Sequence, residues 1–114
     1  MSSKPGTVDL KPDLIDQVLA VLSSEVPDAE VWAFGSRAKG TARKNSDLDL
    51  AIVGSVAIPV RVMNRLRRAF EDSRIPFQVD LVDWQRLDDD FREVVRRDHV
   101  VLRTTQANPG PADR

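Results

Sequence analysis

A chain of 114 residues, 41% hydrophobic and 31% charged, has the size and make-up of one soluble globular domain. A formal net charge of −1 argues against wholesale nucleic-acid binding, and the absence of cysteine excludes disulfides and thiolate metal sites. No apolar run approaches the roughly 20 residues that cross a bilayer. The opening Met-Ser-Ser-Lys-Pro-Gly lacks the apolar core of a signal peptide, so a cytoplasmic protein is expected.

Residues 1–11 carry Ser, Pro and Gly without periodicity and predict a flexible leader. From Pro12, the apolar residues Leu14, Ile15, Val18, Leu19 and Leu22 fall on one helical stripe, which predicts a helix over about 12–24 that ends before Pro27. Residues 30–34 read as a buried strand running into Gly35, followed by a short helical turn from Ser36 closed by Gly40. Residues 41–46 form a polar loop. A second strand spans 47–53, and because side chains alternate in a strand, Asp47 and Asp49 share one face while Leu48 and Leu50 take the other. Pro59 opens a helix to about Ser73, with Val62, Met63, Leu66, Ala69 and Phe70 inward. After Pro76, residues 77–83 predict a third strand that sets Asp80 on one face. Asp88, Asp89 and Asp90 then head a last helix to about Arg97, where acids favour the positive end of the helix and act as caps. His99–Arg103 adds a short edge strand or simply packs, and residues 104–114, with Pro109, Gly110 and Pro111, predict a disordered tail. The expected fold is one α/β (α+β) domain over 12–103, built on a small sheet.

The chemistry concentrates at residues 34–50. A Gly35-Ser36 turn after an apolar strand lets backbone N–H groups and a hydroxyl approach phosphate oxygens. Ten residues later comes Asp47-Leu48-Asp49, and further on Asp80 stands between Val79 and Leu81. Taken singly, each has a bland reading: a plain turn, a solvated strand edge, an acid facing water. Together they describe phosphate binding beside a three-carboxylate site. Mg²⁺ prefers such oxygen ligands, and two ions can activate an attacking oxygen and stabilise a leaving pyrophosphate. Asp47 and Asp49 would share both ions, and Asp80 would complete the one near the acceptor. Asp80 also stands ready to take the proton of the acceptor hydroxyl, unless the metal alone lowers its pKa enough. Arg37 and Lys39 are nearby cations for the triphosphate, though the sequence does not give their directions.

This pattern resembles the DNA polymerase beta-type nucleotidyltransferase superfamily. The strings Gly35-Ser36-Arg37-Ala38-Lys39-Gly40-Thr41-Ala42 and Ser46-Asp47-Leu48-Asp49-Leu50-Ala51 are similar to the minimal nucleotidyltransferase (MntA-like) domain. The resemblance covers roughly residues 12–103 and departs mildly at Lys39, where relatives usually carry Arg. It implies a mixed sheet flanked by helices, phosphate binding at Gly35 and Ser36, and metal binding at Asp47, Asp49 and Asp80. It also implies ATP as substrate and a HEPN toxin as partner, neutralised by AMP transfer to a tyrosine hydroxyl. Larger relatives grip their acceptor with an extra domain, and none is expected here, which agrees with a partner that supplies the acceptor. The rival readings are an antitoxin that blocks the toxin by binding alone, and nucleotidyl transfer to a small molecule or an RNA end.

Other residues carry less. His99, the single histidine, reads as packing or surface, and Trp32 as core. Trp84 packs in the core or at an interface. Arg61, Arg65 and Arg68 share one helix face, which is either solvated or meets an acidic partner or RNA.

Overall fold

The computed structural model describes residues 8–104. Helix α1 (Pro12–Glu25) starts with its proline in the first turn, where the missing N–H costs nothing, and buries Val18 and Leu22. Strand β1 (Glu30–Phe34) runs into the one-turn helix α2 (Ser36–Lys39), and β2 (Leu48–Val53) follows the polar loop. Helix α3 (Val60–Glu71) turns Met63, Leu66 and Phe70 inward. Strand β3 (Val79–Asp83) leads through a 3-10 turn, Trp84–Arg86, to helix α4 (Asp89–Asp98) and strand β4 (Val100–Arg103). Asp88 caps α4 by accepting the Phe91 N–H at 2.8 Å, as its acidic start predicts. Among the described residues, no helix is long and apolar enough to cross a membrane.

The sheet order is β3-β2-β1-β4. Strand β2 pairs parallel with β3 and antiparallel with β1, and β4 pairs antiparallel with β1, so the sheet is mixed. His99–Arg103 therefore resolves as an edge strand from Val100, rather than loose packing. One face carries Leu48, Leu50 and Ile52, all fully buried with Val18, Leu22, Leu66 and Phe70 beneath α1 and α3. Burying each such leucine contributes about 1.5–3 kcal/mol, and this layer fixes the sheet as the rigid base of the molecule. The opposite face is only partly covered: Phe34, Ala51 and Val95 are buried there, with Trp32, Val82 and Trp84 packed around them. Trp84 is thus a packing residue. Trp32 is half-buried on this second face, stacked on His99 at 3.9 Å, which gives the histidine a packing role.

The expected leader needs correction. Val8 is buried in the main core and the Asp9 N–H donates to the Arg37 carbonyl at 2.8 Å, so the chain is already anchored at residue 8. The single alternation Val8-Asp9-Leu10 is too short a signal to reveal this, although Leu10 packs against the same core. The remainder of the predicted leader, 1–7, and of the predicted tail, 105–114, lies outside the described residues.

Candidate active site

The site lies at the C-terminal end of β1 and the N-terminal ends of β2 and β3. Gly35 leaves β1 with φ +76° and ψ −156°, a region essentially closed to residues with a Cβ. Its missing side chain matters twice, because a Cβ there would collide with the Asp49 carboxylate oxygen and stand 3.2 Å from its Cγ. Asp49 can lie against the turn only because residue 35 is glycine. Ser36, half-buried, opens α2, and Gly40 closes it in the left-handed conformation (φ +79°) with empty space around it.

Backbone register brings the acids together. Phe34 of β1 pairs with Asp49, which places the acid beside Gly35, and Asp49 pairs with Asp80 across the parallel β2–β3 ladder. Paired residues project to the same side of a sheet, so Asp49 and Asp80 share the less covered face, opposite Leu50 and Leu81. Asp47 precedes β2 by one residue and is exposed. Burial, then the neighbouring Asp80 and Asp47 carboxylates, raise the Asp49 pKa above the ordinary carboxylate value. Three carboxylates therefore lie near one another here, and the other two make Asp49 harder to ionise.

The carboxylates are not a closed cage. Among the described residues no three His, Cys, Asp or Glu side chains form a preformed metal cluster. Gln78 Nε2 donates to Asp80 Oδ1 at 2.6 Å, which ties that carboxylate along its own strand. The donor set nonetheless fits a hard divalent cation: all oxygens, with a charge excess that a cation would relieve. A pocket of ≈ 480 Å³ opens beside Asp80, walled by Phe70, Phe77 and Gln78 with Arg67 at its edge. Another, of ≈ 450 Å³, lies at the far end of the sheet around Val26, Val53 and Ile58. Asp47, Asp49 and Asp80 are not among its lining residues, and its walls are mainly apolar.

The predicted cations divide. Lys39 is exposed at the end of α2. Arg37 is not available to a triphosphate: it is 6% exposed and donates to the carbonyls of Ser46, Lys44 and Asp9 while lying 4.2 Å over the Phe77 ring. Four hydrogen bonds use nearly all the donors of its guanidinium fork. The alternation of charge in Arg37-Ala38-Lys39 gives no hint of this, because the acceptors are carbonyls scattered along the chain. Gln78 was likewise missed, although its position two residues before Asp80 on one strand face is a usable signal.

Comparison with known proteins agrees with this geometry. Residues 15–103 match the nucleotidyltransferase domain family. The chain is 45% identical over 95 residues to the probable protein adenylyltransferase MntA of Haemophilus influenzae, covering 83% of each chain. A toxin–antitoxin crystal structure with AMP-PNP superposes with a TM-score of 0.69 at 24% identity, covering 82% of this chain and 75% of the other. A complex of a tri-AMPylated Shewanella oneidensis HEPN toxin with its MNT antitoxin superposes at 0.59 and 18% identity, covering 86% and 76%. At those identities the two structures speak for the fold alone. A mixed sheet, a glycine turn against Asp49 and a family match over most of the chain together establish that this protein belongs to the nucleotidyltransferase domain family, as an MntA-like member.

Proposed function

We propose that the protein is a magnesium-dependent adenylyltransferase that moves AMP from ATP to a tyrosine hydroxyl of a partner HEPN toxin, and thereby acts as its antitoxin. The observation that carries the chemistry is the register of Asp49 with Asp80 on one face beside Gly35. Asp47, Asp49 and Asp80 would hold the metal. Bound magnesium supplies charge neutralisation for the triphosphate and activation of the acceptor oxygen. Gly35 lets the phosphates approach the backbone, Ser36 offers its N–H and hydroxyl, and exposed Lys39 meets the triphosphate charge. The acceptor oxygen bonds to the α-phosphorus as the bond to pyrophosphate breaks. The proton passes to Asp80, which lines the adjoining pocket, or to water. That pocket, with its Phe70 and Phe77 walls, suits an aromatic acceptor. The MntA relative supports transfer to protein, and the choice of an ATP donor and a HEPN acceptor follows the AMP-PNP and the tri-AMPylated HEPN toxin found with proteins of the same fold.

The test incubates the purified toxin with this protein and Mg-ATP and weighs the toxin by mass spectrometry. AMP-sized increments that disappear with Asp49→Asn are expected. Toxin neutralised without any gain in mass, by wild type and Asp49→Asn alike, would replace catalysis with blockade by binding.

A further inference from the structure

Arg37 stands where a phosphate ligand was expected, yet its bonds run the other way. Its Nε and Nη2 both donate to the Ser46 carbonyl, at 3.0 and 2.8 Å. That carbonyl and the Asp47 N–H belong to one planar peptide unit, so two bonds on the oxygen set the plane from which Asp47 projects. On the other side of Asp47, the Leu48 N–H donates to the Gln78 carbonyl at 2.9 Å. Gln78 follows Phe77, whose ring supports the Arg37 guanidinium at 4.2 Å. The contacts close a circuit from Arg37 through Ser46, Asp47 and Leu48 to Gln78 and Phe77 and back. The turn before Asp47 is sealed as well: Ser46 N–H donates to the Arg43 carbonyl at 3.1 Å, and Arg43 N–H to Ser46 Oγ at 2.7 Å.

We infer that Arg37 is the positioning residue of the acid cluster, holding Asp47 at a fixed place relative to Asp80, and does not bind the nucleotide. The inference rests on the proposed metal role of the acids. Asp47 is exposed, so its carboxylate would otherwise stand on a free polar loop, and burial of Arg37 beneath it supplies the missing rigidity. A guanidinium is suited to this because its planar fork reaches several carbonyls at once, whereas an ammonium is a point charge with rotating donors.

The experiment measures Mn²⁺ binding to the protein by loss of the free-ion electron paramagnetic resonance signal, without nucleotide, which would chelate the ion itself. Wild type, Asp49→Asn, Arg37→Lys, Arg37→Met and Arg103→Lys are compared at a temperature where circular dichroism shows each folded. Arg103 is the matched control: another buried arginine donating to carbonyls, those of Ala29 and Val26, at the far end of the sheet from the acids. Groups that orient metal ligands are worth about 10–100-fold in affinity. Arg37→Lys and Arg37→Met are expected to weaken Mn²⁺ by that factor while Arg103→Lys binds as wild type. With no nucleotide present, loss of a phosphate ligand would leave Mn²⁺ affinity unchanged. Wild-type Mn²⁺ affinity in folded Arg37→Lys, or equal loss in Arg103→Lys, overturns the inference. So does failure of both Arg37 variants to fold while Arg103→Lys folds, since that leaves Arg37 a purely structural part. If Asp49→Asn binds Mn²⁺ as wild type does, the metal reading itself has failed, and the inference falls with it.

Discussion

Replacing Gly35 with alanine separates the geometry of the acids from the stability of the fold. At φ +76° and ψ −156° an alanine costs about 1–3 kcal/mol in backbone strain alone. For a domain of this size that lowers the melting temperature by about 4–8 °C per kcal/mol. The added methyl also collides with Asp49, which must retreat by roughly 1 Å to reach an ordinary carbon–oxygen contact. A displacement of that size at a reacting centre costs on the order of a hundredfold in rate. Gly40→Ala is the control, because Gly40 is also left-handed but nothing lies within 4 Å of a Cβ there. It should lose about 1–2 kcal/mol and keep its rate within a few-fold. Thermal unfolding by circular dichroism gives the stabilities, and transfer of labelled AMP to the partner gives the rates. If folded Gly35→Ala transfers AMP as fast as Gly40→Ala, the Asp49–Gly35 contact is not what holds the site.

Asp49→Asn should abolish transfer yet stabilise the fold at neutral pH. The folded pKa of Asp49 is raised, so ionisation opposes folding: its favourable contribution is complete below the unfolded pKa and disappears as pH rises through the folded one. Melting temperatures of wild type and variant should converge in acid and separate above it, and a variant less stable at pH 7 would contradict the cause. Leu50→Ala, which empties a fully buried site behind Asp49, should cost about 2–5 kcal/mol in chemical denaturation, and a loss under 1 kcal/mol would refute the layer described. His99→Leu should leave the pH dependence of AMP transfer unchanged, with stability down by about 1 kcal/mol from the lost ring stacking on Trp32. A shifted pH profile would make the histidine part of the chemistry.

What could be read from the chain was whatever local physics dictates. Proline and glycine punctuation with apolar periodicity located α1, α3 and the first two strands to within a few residues, and strand alternation put the acids on a common side of their own strands. The acidic start of α4 announced its cap. What escaped was set by tertiary packing. Strand β3 begins at Val79, two residues later than expected, and Phe77 lies outside it with its ring against Arg37. Arg37 was misread because its partners lie seven to twenty-eight positions away, and charge next to a phosphate-type turn suggests a ligand before it suggests a strut. Val8 and Leu10 escaped because one apolar-polar-apolar step is too short to stand out from a polar leader. The alignment of Asp49 with Asp80 is likewise invisible locally: it depends on parallel pairing between strands separated by a helix.

That pairing deserves its physical explanation, since the site cannot tolerate slippage. Moving β3 by one residue against β2 would swap its two faces, turning Asp80 toward the buried layer and Leu81 toward the open side. Leu81 is buried in the main core and Val79 packs at its margin, so the slip would expose apolar surface and bury a charge, both unfavourable. The hydrophobic pattern that secures the fold is therefore the same constraint that aligns the acids. Burial of Asp49, and after it the neighbouring Asp80 and Asp47 carboxylates, raise its pKa, and this cost pushes against the arrangement without the power to undo it. The backbone is held by the buried layer, by the Arg37 circuit and by Gly35, so the acids are carried on a fixed frame. A cation arriving with a triphosphate would then draw the side chains inward on a scaffold that need not change.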